Sequence, residues 1–526
     1  MKHLTRRTFL KQAALSGGAI LVPSTVLGQA PAVVTSDKLR PQTPSGLQIG
    51  DVTGGRALVW SRADRPSRLV VERAFKADFS DAVRIRGPLA LETSDFTARV
   101  DLTDLPEERE VFVRVAFESL SSERVRSEPL TGRFLTTPRR RDVTFAWSGD
   151  TAGQGWGINK EWGGMKCYET VRRDRPDFFV HCGDTIYADG PIAAEVKQAD
   201  GYVWRNLVTE EVSKVAETLK EFRGRYAYNL MDDNVRRMAA EVPQIWQWDD
   251  HEVTNNWSDS KDLSGDARYT EKNVHVLTAR ATRAFLDYAP MRFHGADESE
   301  RVYRKISYGP QLDVFVLDMR SYRGPNTYNR QEQPSPDTPF LGAQQLAWLK
   351  DALARSKATW KVISADMPIG LVVGDGKDAQ GRDKFEAMSN GDGPALGREL
   401  EIADLLRFIK RRKVRNTVWI TADVHYCAAH YYDPRRAQFT DFDPFWEFVT
   451  GPIHAGGFGP NALDNTFGPQ LVFQKAPGGR INVSPTENGQ FYGLARIEAK
   501  SGGLTVQIKD LTGAVLFEKK LEPKIA

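Results

Sequence analysis

Five short apolar runs between residues 143 and 425 end in acid. Val143–Trp147 leads into Ser148-Gly149-Asp150, and Phe178–His181 leads into Cys182-Gly183-Asp184. Gln244–Trp248 leads into Asp249-Asp250-His251-Glu252, Val314–Leu317 into Asp318, and Thr417–Thr421 into Ala422-Asp423-Val424-His425. In sheets flanked by helices, ligands bind beyond the carboxyl ends of the strands. Carboxylates gathered on one such rim cannot all stay ionised unless cations lie between them. Hard divalent or trivalent ions suit oxygen ligands of this kind. Asp423 and His425 stand two apart, so on an extended segment both side chains point the same way, as two ligands of one site would. The pattern therefore predicts a shared metal cluster. The glycine-rich stretch Gly149–Gly157 lacks Gly-Lys-Ser/Thr and is no nucleotide loop. A Gly-x-Ser-x-Gly elbow for covalent serine chemistry is also missing.

The segments between the runs supply the scaffold. Amphipathic patterns predict helices over 274–288, 342–356 and 399–413, and their alternation with strands predicts an α/β domain with largely parallel pairing. This catalytic domain is expected over 142–526, including a C-terminal β-hairpin from Tyr492 to Lys519 that turns at Lys500-Ser-Gly-Gly503. Before it, residues 39–138 read as all-β, with runs such as Arg56–Trp60, Arg68–Glu72, Phe96–Val100 and Val111–Val115 between turn-rich segments. Strands at this spacing predict a small immunoglobulin- or fibronectin-like sandwich, ended by a linker at Pro138-Arg-Arg-Arg141.

Residues 1–30 read as an address rather than fold. Thr5-Arg-Arg-Thr-Phe-Leu-Lys11, an uncharged run to Leu27 and Gly28-Gln-Ala30 make a twin-arginine signal with a small-x-small cleavage site. The run is too short and too broken by Gly17, Gly18 and Pro23 to span a bilayer. The expectation is therefore export of a folded chain by the twin-arginine translocation machinery to the periplasm or the exterior, with no membrane anchor. Cys167, Cys182 and Cys427 form no C-x-x-C pair and no even count, against both a disulfide framework and a thiolate cluster. The formal charge of +3 includes four cations of the signal. Without Lys2, Arg6, Arg7 and Lys11 the balance is near −1, which gives no chain-wide basis for stable nucleic-acid binding.

Gly183-Asp-x-x-Tyr187, Asp249-Asp-His-Glu252 and Asp423-x-His425 resemble the calcineurin-type metallophosphoesterases. Trp248-Asp-Asp-His-Glu-Val-Thr-Asn-Asn-Trp257 and Leu317-Asp-Met-Arg-Ser-Tyr-Arg323 are more closely similar to the alkaline phosphatase D family, as is the order of signal, β-domain and catalytic domain. The resemblance implies two packed mixed sheets flanked by helices, and hydrolysis of phosphate monoesters or diesters by attack of metal-bound hydroxide. It implies two or more metal ions, iron(III) and calcium, with manganese or zinc as alternatives. Where the family often has Ser-Cys-Gln, this chain has Ser148-Gly149-Asp150, which puts the ligand on Asp150 and weakens the case for iron. Tyr187 restores part of it, since Gly-Asp-x-x-Tyr also resembles the ferric site of purple acid phosphatases.

The implied roles follow residue by residue. Asp150, Asp184 and Tyr187 would hold one ion; Asp184, Asp250 and either Asn255 or Asn256 would hold another; Asp423 and His425 complete the cluster. His251 would serve the leaving group. Arg320 and Arg323 either grip phosphate oxygens or form structural pairs with Asp318. His181, inside an apolar run, reads as a core histidine, and His454 as a residue that either lines the pocket or does not. Ile192–Leu207 and Gly370–Gly393 look like insertions that shape the pocket. Three functions stay in view: a phosphomonoesterase, a phosphodiesterase acting on lipid, nucleic-acid or wall-polymer substrates, and a non-catalytic calcium-dependent surface-binding protein.

Overall fold

The computed structural model describes residues 40–295, 298 and 300–524. The expected signal and cleavage site lie outside the described residues.

Two large sheets carry the fold. At the centre of the first, Val143–Ser148, Phe178–Cys182 and Gln244–Gln247 run parallel. The C-terminal strands Phe491–Ile497, Leu504–Asp510 and Val515–Leu521 extend it antiparallel on one side. The second sheet has Leu312–Val316, Trp360–Ser364, Thr417–Thr421 and Phe445–Val449 in parallel, with antiparallel strands at both margins.

Alternation along the strands explains why the sheets stack. Val143, Phe145 and Trp147 point to one face and join Val314, Val362 and Val418 of the other sheet in one buried core. The intervening residues face outward onto helices. Phe315, Ile363 and Trp419 pack with Leu349 and Leu353 of helix Ala343–Arg355 and Leu405 and Ile409 of helix Glu399–Arg411. Ala146 and Phe179 pack with Cys167 and Val171 of helix Lys166–Arg173. The strands are thus apolar on both faces, which leaves their ends as the place for polar chemistry.

The N-terminal part, all-β as expected, is divided between two sheets. Ser67–Ala74, Val83–Ala90, Glu110–Ser119, Ser122–Arg126 and Leu130–Leu135 form a sheet of their own. Leu47–Thr53, Arg56–Arg62 and Thr97–Leu102 instead extend the first large sheet, joined at Gly50 opposite Gln244. The basic stretch after Pro138 is pinned rather than loose: the backbone N–H groups of Arg139 and Arg141 donate to Glu108 at 3.0 and 3.1 Å, and Arg140 does so too. Among the described residues no helix is long and apolar enough to cross a membrane. All three cysteines are buried and free.

Candidate metal centre

The ends of the parallel strands converge, and the backbone turns there in a common way. Asp150, Asp184 and Asp423 all adopt left-handed conformations, with φ of 68°, 51° and 63°. Asp tolerates this region better than most residues, and such strain concentrates at functional sites. The turns interlock: Asp150 N–H donates to the Gly183 carbonyl at 3.2 Å, Thr151 N–H to the Asp184 carbonyl at 2.8 Å, and His454 N–H to the Asp150 carbonyl at 3.1 Å. A Cβ at Gly451 would sit 2.1 Å from Asp150 Oδ2, so the backbone must come this close without a side chain.

Two groups of ligand atoms result. Asp150, Asp184 and His425 present ligand atoms within 4.8 Å of one another, and so do Asp184, Asp250 and His251. Asp184 belongs to both. A carboxylate has two oxygens with spare lone pairs, so one side chain can serve two ions at once. Asp150 is fully buried, and neither of its oxygens has a hydrogen-bond partner. A buried, unpartnered carboxylate is costly in any protein and fits a cation's position. Burial, reinforced by Glu252 and Asp250 against the opposing effect of His251, holds the Asp150 carboxyl well above the usual range. Asp184 is raised in the same way, by burial first. Cations are what would let both ionise together.

The nitrogen and phenol groups fit the same reading. His425 Nδ1 lies 2.5 Å from the Gly456 carbonyl, which can only accept, so the proton is assigned to Nδ1. Nε2 is left with a lone pair, 2.6 Å from the Tyr187 hydroxyl and 3.8 Å from Asp150 Oδ1. Burial pushes the His425 pKa down to about 3, so the ring is neutral, as a ligand must be. Burial and the carboxylates around Tyr187 push its phenol well above its ordinary value.

His251 is oriented by a residue that sequence reasoning missed. Its Nδ1 lies 2.6 Å from Asp189 Oδ1, and its Nε2 is turned toward the centre, 4.0 Å from Asp250 Oδ1. Its ring packs against Tyr187, with centroids 4.3 Å apart. Burial pulls the His251 pKa down, but Asp189, Asp250 and Asp184 outweigh that and leave it well above its ordinary value. Glu252, also missed as a participant, is buried and accepts from Thr185 N–H and Oγ1, each at 2.6 Å, from Asp249 N–H at 2.8 Å and from Asp184 N–H at 3.3 Å. It ties two strand-end turns together. Only its place between Asp250-His251 and the following apolar Val253 was visible beforehand.

Other expected residues fall elsewhere. Asp423 lies 3.7 Å from Arg320 Nη2 and belongs to neither triad. Arg320 has no room to grip phosphate: its side chain is wholly buried, with Nε donating to Asp366 at 2.8 Å and the remaining nitrogens paired with Asp249 and Glu386. Nor does its guanidinium meet Asp318, which accepts from the Arg320 backbone N–H at 3.1 Å and from Trp248 Nε1 at 3.0 Å. Arg323 pairs with Glu386 at 3.2 Å. Asn255 is exposed, with its N–H on Asp189 at 3.0 Å. The Asn256 amide donates to Asp375 at 2.7 Å. Asp375 belongs to the short hairpin Gly374–Lys377 and Asp383–Phe385, inside one of the two expected insertions. His181 is buried with Nε2 on Thr151 Oγ1 at 2.8 Å, a core histidine. His454 is buried too, with Nε2 3.2 Å from the Gly157 carbonyl.

Comparison with known proteins places the chain in a family. A family model described as PhoD-like phosphatase matches residues 145–508, and one described as PhoD-like phosphatase, N-terminal domain, matches residues 28–138. Alkaline phosphatase D of Bacillus subtilis (strain 168) is 27% identical over 316 residues, which cover 58% of this chain and 51% of that protein. The chain thus spans about half the length of the curated relative it matches. The solved structure of PhoD superposes with a TM-score of 0.68 at 19% identity, over 93% of this chain and 94% of that one. A purple acid phosphatase, PPD1 of yellow lupin (Lupinus luteus) seeds, superposes with a TM-score of 0.57 at 14% identity, over 90% and 74% of the two chains. Identities this low establish the shared metallophosphoesterase fold and nothing finer. With the family model matching well over half of its length, the chain belongs to the PhoD-like phosphatase family.

Proposed function

We propose that this chain is an exported phosphoesterase that hydrolyses phosphate monoesters or diesters at a site built for at least two metal ions. One observation carries the reading: two groups of potential ligand atoms meet at a single shared carboxylate, Asp184, whose second group comprises Asp250 as a ligand and His251 as its protonated neighbour. Asp150, Asp184, Tyr187 and His425 would hold one ion; Asp184 and Asp250 would hold the other, and Asn255 or Asn256 would join them only by turning from the places they occupy here. Bound there, the ions supply Lewis acidity, acidifying water and neutralising charge on a phosphoryl group. Iron(III) beside Tyr187 and calcium at the second position are the identities that the family likeness and the phenol support. The chain's own contribution is positional. Glu252 fixes the turn that carries Asp184, and the Gly456 carbonyl fixes the His425 tautomer. Asp189 keeps His251 protonated and aimed inward, ready to give its Nε2 proton to the leaving oxygen. The Arg6-Arg7 signal supports delivery to the periplasm or the exterior, with a small-molecule phosphate ester as substrate.

The test is Asp184→Asn in the full chain. Turnover of p-nitrophenyl phosphate is expected to fall by at least about 10³-fold, and elemental analysis is expected to show both ions depleted. Unchanged metal content with turnover retained would overturn the assignment. Assaying the mono- and bis-p-nitrophenyl esters side by side decides between monoester and diester preference.

A further inference from the structure

At the opposite end of the second sheet lies a hollow of about 650 Å³ with a one-sided charge. Lys357, Arg412, Lys413, Arg415, Lys500 and Lys524 line it, and no Asp or Glu among the described residues does. They come from four separate stretches: the loop after helix Ala343–Arg355, the loop after helix Glu399–Arg411, the turn of the C-terminal hairpin and the tail. Lys357, Arg412, Lys413, Lys500 and Lys524 are all exposed. Among the described residues none of these five has a carboxylate within 4.0 Å. Basic residues close by behave differently: Arg407, Lys410 and Arg411 all pair with Asp441.

Helix ends explain part of this. Carboxyl termini of helices attract cations, and two helices end here. That accounts for Arg412 and Lys413 but not for Lys500 or Lys524, which no helix carries. Nor are those two segments loose. Trp360 Nε1 donates to the Gly502 carbonyl at 2.7 Å, holding the hairpin turn against the sheet. Lys524 N–H donates to Asn416 Oδ1 at 2.8 Å, fixing the tail beside the Arg412–Arg415 loop. The backbone segments that carry Lys500 and Lys524 are held at the rim before any ligand arrives, so only the side chains remain to be ordered on binding.

We propose that this hollow is a binding site for an extended polyanion, a chain bearing repeated phosphate-type charges, separate from the metal centre. The spread of the cations over four segments suits charges strung along a chain rather than one compact anion. A membrane surface is the poorer fit, because the large exposed apolar side chains all lie in other segments. Strand Thr417–Thr421 starts beside Asn416 of the hollow and its carboxyl end leads on to His425 of the metal centre, so at about 3.3 Å per residue the strand alone puts about 16 Å between the two sites. The hollow therefore retains a polymer on the protein without placing the bound charges on the metals.

The test uses the full-length protein and a fluorescent single-stranded oligothymidine with phosphorothioate linkages, which resist hydrolysis. With about five charges neutralised, affinity should fall by about 10²-fold between 50 and 200 mM salt. The double reversal Lys413→Glu/Lys500→Glu should weaken binding at least tenfold and flatten the salt dependence, leaving p-nitrophenyl phosphate turnover unchanged. The control reversal Lys76→Glu/Arg124→Glu, in the N-terminal all-β part, should bind like the wild type. The proposal fails if the oligomer does not bind, if the control loses as much affinity as the test variant, or if millimolar inorganic phosphate displaces the oligomer from the metal centre. It also fails if the test variant loses affinity only for phosphatidylglycerol vesicles, which would assign the hollow to a lipid surface.

Discussion

Replacing Asp189 with asparagine isolates what the second carboxylate behind His251 does. Asp189 is buried, accepts from His251 Nδ1 at 2.6 Å and from Asn255 N–H at 3.0 Å, and belongs to neither triad, meeting the second one through His251. Cations in the centre would neutralise Asp184 and Asp250, and Asp189 is then the carboxylate on which a protonated His251 depends. Asparagine keeps the size and one acceptor oxygen but removes the charge. A charge-assisted hydrogen bond contributes about 1.5–3 kcal/mol. At about 1.36 kcal/mol per unit, that is roughly 1–2 pH units of His251 basicity. A proton donor works below its own pKa, so lowering that pKa moves the alkaline loss of activity to lower pH. The assay is kcat against pH for two substrates, phenyl phosphate with a poor leaving group and p-nitrophenyl phosphate with a good one. Asp189→Asn should shift the alkaline limb about 1–2 units toward acid. It should also slow phenyl phosphate by about 10²–10⁴-fold, with a much smaller effect on the nitrophenyl ester. If limb and leaving-group dependence both stay where they were in a protein of unchanged melting temperature, His251 is not the proton donor.

The remaining predictions probe the scaffold. Glu252→Ala removes the acceptor shared by Asp184, Thr185 and Asp249, and should cost about 3 kcal/mol or more in chemical denaturation because buried donors are orphaned; Glu252→Gln should cost less. Gly451→Ala drives a methyl into Asp150 Oδ2 and should lower metal content and turnover together while the circular dichroism spectrum is preserved. Burial and the adjacent Asp464 push the Glu399 carboxyl from 4.5 up to about 9. The native state then keeps a proton that the unfolded chain releases, so stability drains away as pH rises from about 4.5 toward 9. Glu399→Gln should raise Tm by about 2 °C or more at pH 8 and leave it unchanged at pH 4; equal gains at both would refute the buried-acid explanation.

The strand-end acids were legible because a β-strand with two apolar faces can show polarity only where it stops. Asp150, Asp184 and His425 follow from that rule, and the structure gathers them. Adjacent residues defeat it: Asp249 and Asp250 look alike in sequence, yet one turns back to Arg320 and the other faces the centre. Arg320 misled for a related reason. Its planar fork suits phosphate, but nothing local revealed that Asp366 and Glu386, 46 and 66 residues further on, already occupy it. Asp189 and Glu252 act through contacts that only the assembled turns create. The near-neutral charge balance was an average, and it hid the one-signed hollow, whose cations stand as much as 167 residues apart in the chain between Lys357 and Lys524.

The nine-stranded sheet takes its middle from the interior of the chain and its two flanks from opposite termini. Until residue 491 has been synthesised, Val143–Ser148 has one bare edge, and this is the strand that delivers Asp150. A polypeptide cut short upstream of that point cannot seal the layer on this side. Completion of this layer therefore comes late in biosynthesis, and a prematurely terminated product keeps an open strand edge, the kind of margin that pairs with other chains.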